Sequence, residues 1–144
     1  MADDFPEIPG FKILEMLGEG AMARVYLAVD ESLDRKVALK IMLGSLAADV
    51  SFRERFLAEA RDTAKFAHPG IVAIHTTGDH DGRYYLVLEY LESGTLKDHL
   101  KRKLSASADA QAETATGFTA REALVVTHQL AQALSYAHGK GVVH

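Results

Sequence analysis

The amino-acid sequence predicts an α+β fold: a five-stranded antiparallel sheet carrying one major helix, followed by further helices with no strand between them. Three observations lead there. Residues 24–29 and 36–40 alternate in the period-two manner of strands across a short turn. Over residues 47–67 the apolar period lengthens to that of a helix, and residues 71–77 and 83–90 then return to extended composition around a glycine-rich loop.

Taken in order, residues 1–10 hold Pro6 and Pro9-Gly10 and read as an irregular lead-in, expected to fray. Residues 11–17 form a first strand. Gly18 and Gly20 follow as a loop whose backbone is free to press against phosphate oxygens. Val25, Leu27 and Val29 then alternate with Arg24, Tyr26 and Ala28 in a second strand, and after a turn at 30–35 a third strand ends on Lys40. At about 100° per residue, Phe52, Phe56, Ala60, Thr63, Phe66 and Ala67 project onto one side of the helix at 47–67. Glu59 falls within that stripe. An unpaired carboxylate on a face that meets a sheet is costly, so a cation partner is expected, and Lys40 is the candidate.

Ala67-His68-Pro69-Gly70 ends the helix, because proline disfavours helix in the residue before it and glycine permits the turn. Two strands, 71–77 and 83–90, flank a loop at 78–82. His80, between Asp79 and Asp81, reads as a solvated hairpin tip, since no further ligand is placed for a metal. A short helix follows at 95–102. Residues 101–117 are small, polar and alanine-rich, a flexible insertion or weak helix. Thr119-Ala120-Arg121-Glu122 is a capping box that opens a last helix running to about His138. Leu124, Thr127, Leu130, Ala131, Leu134 and Ala137 make its apolar side, with Gln129, Gln132 and Tyr136 elsewhere.

Bulk properties bound the function. A chain of 144 residues can bury one domain core. Its net charge of -4 leaves no general electrostatic footprint for nucleic acid. The absence of cysteine excludes a disulfide scaffold and thiolate metal sites, and fits a reducing compartment. The opening Met-Ala-Asp-Asp is acidic, and no apolar run approaches the roughly 18 residues of a membrane span. The default expectation is a cytoplasmic location.

The glycine loop is followed by a strand, not a helix. That order argues against a dinucleotide-binding fingerprint, and with it a nucleotide-dependent oxidoreductase, and no G-K-[ST] follows to make a Walker A loop. Several spaced signals recur instead: G-x-G-x-x-A-x-V at 18–25, V-A-L-K at 37–40, Glu59, H-P-G-I-V at 68–72 and L-E-Y-L at 88–91. Jointly they resemble the N-terminal part of a eukaryotic-like (Hanks-type) serine/threonine protein kinase of the bacterial type. The resemblance covers nearly everything from Phe11 to His144.

The resemblance implies a kinase N-lobe and hinge over 11–91 and a truncated start of the helical C-lobe over 92–144. It implies ATP as ligand, with the loop Leu17, Gly18, Glu19, Gly20, Ala21, Met22, Ala23, Arg24 and Val25 over the phosphates and base. Ala38 lines the base pocket, and Lys40, oriented by Glu59, serves the α/β-phosphates. Leu88 takes the gatekeeper position, and the main chain of Glu89 and Leu91 meets the adenine edge. Ala23 replaces the family's third glycine, which is tolerated if its φ is negative. Val142-Val143-His144 resembles the start of the catalytic loop; the aspartate base and the Mg2+ ligands of a complete kinase do not occur in these residues. The implied parent activity is transfer of the γ-phosphate of ATP to protein hydroxyls, with this chain inactive alone. The other reading is a non-catalytic pseudokinase module that binds a partner. Bacterial members often carry a membrane helix beyond the kinase domain. Because the helix at 119–138 is central to a complete C-lobe, its apolar stripe is expected to drive self-association here.

Overall fold

The computed structural model describes residues 5–108 and 117–142. They divide into two compact units, one running to Ala67 and resuming at Ile71–Tyr90, the other comprising His68–Gly70 and the chain from Leu91 onward.

The first unit is the predicted antiparallel sheet of five strands: β1 (Phe11–Glu19), β2 (Ala23–Asp30), β3 (Arg35–Met42), β4 (Ile74–His80) and β5 (Arg83–Glu89), in the order β1-β2-β3-β5-β4. Register fixes its two faces. Val25 lies opposite Lys40 and Lys40 opposite Leu86, while Leu27, Ala38 and Leu88 form the next row of the same face. Onto this face packs the major helix, closing a cluster of Ala23, Met42, Phe56, Ala60 and Leu86. On the opposite face Tyr26, Ala28, Val37, Leu39, Ile41 and Val87 cluster with Ile8.

Ile8 corrects the expectation of a frayed lead-in from Phe5 onward. Its side chain is 3% exposed, Phe11 N–H donates to its carbonyl at 3.1 Å, and Phe5 meets the Tyr26 ring edge-on at 5.9 Å. Gly10, at φ +82°, turns the chain from this cover into β1.

The helix expected at 47–67 is shorter, α2 (Val50–Thr63), so Phe66 and Ala67 of the expected stripe lie beyond it, and a separate turn, α1 (Gly44–Ala47), precedes it. Asp49 makes the break: its carboxylate accepts the N–H of Ser51 at 2.8 Å and of Phe52 at 3.4 Å, so α2 starts afresh from its own N-cap. In the second hairpin β4 is shifted along the chain from the expected 71–77, starting at Ile74 and running on to a two-residue turn at Asp81 and Gly82, both at positive φ, while β5 falls where expected. Gly78 is therefore a strand residue. It lies opposite Tyr85, whose ring occupies the space a Cβ would need. His80 ends β4 with its Nε2 3.4 Å from Asp81.

The second unit holds α3 (Leu96–Ala108) and α4 (Ala120–Gly139). Helix α3 is longer than the expected 95–102, taking up the first eight residues of the stretch read as a flexible insertion or weak helix. Residues 109–116 of that stretch lie outside the described residues, as do Val143 and His144 of the resemblance to a catalytic loop. Thr95 and Asp98 start α3 by exchanging hydrogen bonds, Thr95 N–H to Asp98 at 3.1 Å and Asp98 N–H to the Thr95 hydroxyl at 3.1 Å. The capping box at Thr119 and Glu122 is present in both directions. Lys103 also reaches the Glu122 carboxylate, and this contact, with those from Thr119, holds Glu122 down to about 2.

Helix α4 buries Ala133 and Ala137. The Tyr136 ring, expected away from the packed side, meets His68 at 5.1 Å, and a Cβ at Gly70 would fall 3.3 Å from that of Ala133. Leu124, at 70% exposed, and Leu130, at 54%, lead an apolar stripe that stays uncovered among the described residues. No helix among them is long and apolar enough to cross a membrane.

Candidate nucleotide site on the first unit

The site grows from the turn between β1 and β2. Gly20 N–H donates to the Ala23 carbonyl at 2.9 Å, closing a tight loop over Ala21 and Met22. Glu19 and Arg24 pair across its mouth at 3.0 Å. Neither Gly18 nor Gly20 adopts a positive φ. A Cβ at Gly18 would meet nothing within 4 Å, and one at Gly20 only the Ala23 carbonyl at 3.6 Å. The fold itself thus makes no demand for glycine at these two positions. What the missing side chains leave is bare backbone with open space beside it, which suits close approach by a phosphate-bearing ligand.

Ala23, in place of the third glycine, has no positive φ and is buried in the cluster beneath α2. Its methyl group is part of the core there. Leu17 is the extra residue of a bulge between Met16 and Gly18 and stays half exposed. Val25, Ala38 and Leu88 lie on the face that also carries Lys40, Val25 opposite Lys40 and Ala38 opposite Leu88 in the next row. Glu89 ends β5, its N–H donating to the Ala73 carbonyl at 2.9 Å. Leu91 falls in the second unit.

Lys40 and Glu59 are brought together: Nζ lies 2.8 Å from Oε1. The pair is less sheltered than the helical phase suggested, with Lys40 25% and Glu59 50% exposed. Water therefore screens it, and its net contribution to stability is of the order of 0–1 kcal/mol. Its value is geometric, since it aims an ammonium along the face of the sheet. Sequence reasoning placed Phe56 on the helical stripe and missed its other neighbour. The Lys40 ammonium stands 5.8 Å from the centre of the Phe56 ring. The three-residue spacing of Phe56 and Glu59 on one helix face was the available signal.

A separate cavity of about 640 Å³ lies toward Phe5, Tyr26, Ile41 and Arg83. Tyr26 and Ile41 belong to the sheet face opposite Lys40, and of the residues expected at the nucleotide only Arg24 lines this hollow. Among the described residues no three His, Asp or Glu side chains group as metal ligands.

Comparisons with known proteins place the chain in a family. The family described as "Protein kinase domain" matches residues 11–144. Serine/threonine-protein kinase PknJ of Mycobacterium tuberculosis is 39% identical over 135 residues, which is 94% of this chain and 21% of that protein. Serine/threonine-protein kinase PrkC of Bacillus subtilis is likewise 39% identical over 135 residues, 93% of this chain and 19% of that protein. A crystal structure of the Mycobacterium tuberculosis PknI kinase domain, in a point-mutant form, superposes with a TM-score of 0.73 at 29% identity, covering 96% of this chain and 52% of that one. The chain thus spans about a fifth of the curated relatives and half of the solved domain. On these matches the chain belongs to the protein kinase domain family, in its bacterial Hanks-type serine/threonine branch.

Proposed function

We propose that the chain is the ATP-binding portion of a kinase that transfers the γ-phosphate of ATP to serine or threonine hydroxyls of a protein substrate. The observation that carries this reading is the 2.8 Å contact of Lys40 with Glu59 on the sheet face shared with Val25, Ala38 and Leu88. Phosphoryl transfer is catalysed by positioning and by neutralising charge. Lys40 supplies one fixed positive charge for phosphate oxygens, Glu59 keeps it from swinging into solvent, and Gly18 and Gly20 leave room for close approach of backbone. Val25, Ala38 and Leu88 offer an apolar surface to a purine. When bound, ATP supplies the phosphoryl group, with Mg2+ on its phosphates. We assign no metal ligand to the described residues, and we place the site where ATP is abundant, in the cytoplasm.

Calorimetric titration with MgATP tests the reading. Weak but saturable binding is expected, reduced about tenfold or more by Lys40→Met, which removes a charge-assisted contact. Undiminished binding by Lys40→Met overturns the assignment of Lys40.

A further inference from the structure

Phe56 heads the fully buried side chains of the described residues in size. It sits one helical turn before Glu59 on α2, in one cluster with Ala23, Met42, Ala60 and Leu86. It therefore touches the core at the point where the end of the glycine loop, the strand of Lys40 and the helix of Glu59 converge. The Lys40 ammonium lies 5.8 Å from its ring centre, within the range at which the negative face of an aromatic ring attracts a cation.

The two neighbours of the ammonium differ in how firmly they are held. Glu59 is half in water and reaches Lys40 through a flexible side chain, and such pairs contribute little net energy to hold either partner. The Phe56 ring is fully enclosed, and a closely packed side chain cannot leave its rotamer without opening a void. We infer that Phe56 is a positioning residue for Lys40: its buried ring face holds the ammonium toward α2 and fixes where the charge points, while Glu59 closes the contact from the solvent side. This rests on the proposed role of Lys40 in binding phosphate. It also ties the loop to the helix, because Ala23 belongs to the cluster that immobilises the ring.

The experiment uses the 144-residue chain with Phe56 replaced by a graded series of fluorinated phenylalanines, which keep the ring's size while draining its negative face, and with Phe56→Leu, which removes the ring. Three quantities are read: the ring-current displacement of the Lys40 ε-methylene resonances, the affinities for MgATP and for adenosine, and the Lys40–Glu59 coupling in a double-mutant cycle. The parent chain is expected to show displaced Lys40 resonances that Phe56→Leu returns to their free values. MgATP affinity is expected to fall about two- to fivefold along the fluorinated series, with melting temperature and adenosine affinity held, since adenosine offers no phosphate to Lys40. Undisplaced resonances in the parent chain, an unchanged MgATP affinity along the series, or equal losses for MgATP and adenosine each overturn the proposal. A parent chain that shows the displacement but binds no nucleotide removes the functional reading of this chain alone. The positioning role is then decided by the coupling, which falls along the series if Phe56 holds Lys40 and stays constant if it does not.

Discussion

Lys40 Nζ and Glu59 Oε1 meet at 2.8 Å from positions 19 residues apart in the chain, one on β3 and the other on α2. The contact joins strand to helix and is half hydrated on the glutamate side. A double-mutant cycle on folding stability with Lys40→Ala and Glu59→Ala should give a coupling of about 0.2–1 kcal/mol that shrinks with added salt. The charge-swapped pair, Lys40→Glu with Glu59→Lys, should recover part of it. Zero coupling in both cycles would count against the contact.

Glu122 gives the chain a pH response whose sign is fixed. Its carboxylate is held near 2 by Lys103 and by the N–H and hydroxyl of Thr119, against an ordinary value of 4.5. A depressed carboxylate stabilises the folded form above its unfolded value and loses that contribution as pH falls through its folded one. The start of α4 should therefore hold at pH 5 and above, and loosen between about pH 4.5 and 2. Amide exchange at Ala123 across that range checks this, and Glu122→Gln should flatten the response. A Glu122 carbon resonance that titrates at 4.5 would refute it.

Gly78 and Tyr85 form a cross-strand pair in which the ring fills the glycine's empty side. Gly78→Ala must move that ring, at a cost of about 1–3 kcal/mol. Tyr85→Leu should relieve most of the clash, so the double variant should be more stable than the sum of the two single changes allows. Additive losses in urea melts would show that the ring is not the obstacle.

The 144-residue chain should transfer no phosphate above background, because the residues expected to orient the hydroxyl and hold metal do not occur in it. Incubation with radiolabelled ATP and a generic protein substrate reads this directly. Transfer that disappears in Lys40→Met would refute it.

Leu124, Leu130 and Leu134 stand exposed along α4, and burying a large apolar side chain is worth roughly 1.5–3 kcal/mol. Light scattering should give a mass that rises with concentration, and Leu130→Glu should return it to that of a monomer. A monomeric mass at every concentration, with protected amides through α4, would exclude association.

Much of the fold was legible because its signals are local. Period-two alternation located the strands, and Thr119 with Glu122 announced the start of α4 three residues apart. The pairing of Lys40 with Glu59 was legible too, since a carboxylate on an apolar stripe asks for a cation. What escaped depends on the partner surface. Asp49 is an ordinary acidic residue until its carboxylate caps Ser51 and Phe52. Gly78 reads as a loop former until Tyr85 is opposite it. The phase of α4 put Ala137, which is buried, on the same apolar side as Leu124 and Leu130, which are exposed, and missed Ala133. Phe56 looked like core and nothing more, because its second neighbour comes from a strand 16 positions earlier in the chain.

Ile8 and Phe5 lie before Phe11, the first residue matched by the protein kinase family, yet they roof the sheet face built from Tyr26, Val37, Leu39 and Ile41. The boundary of family likeness and the boundary of the folding unit are therefore different places. Trimming the chain to residues 11–144 would strip the roof and expose a strip of aliphatic and aromatic side chains, a surface prone to stick to its own kind. The segment that precedes the family match is the one that keeps this face of the sheet dry.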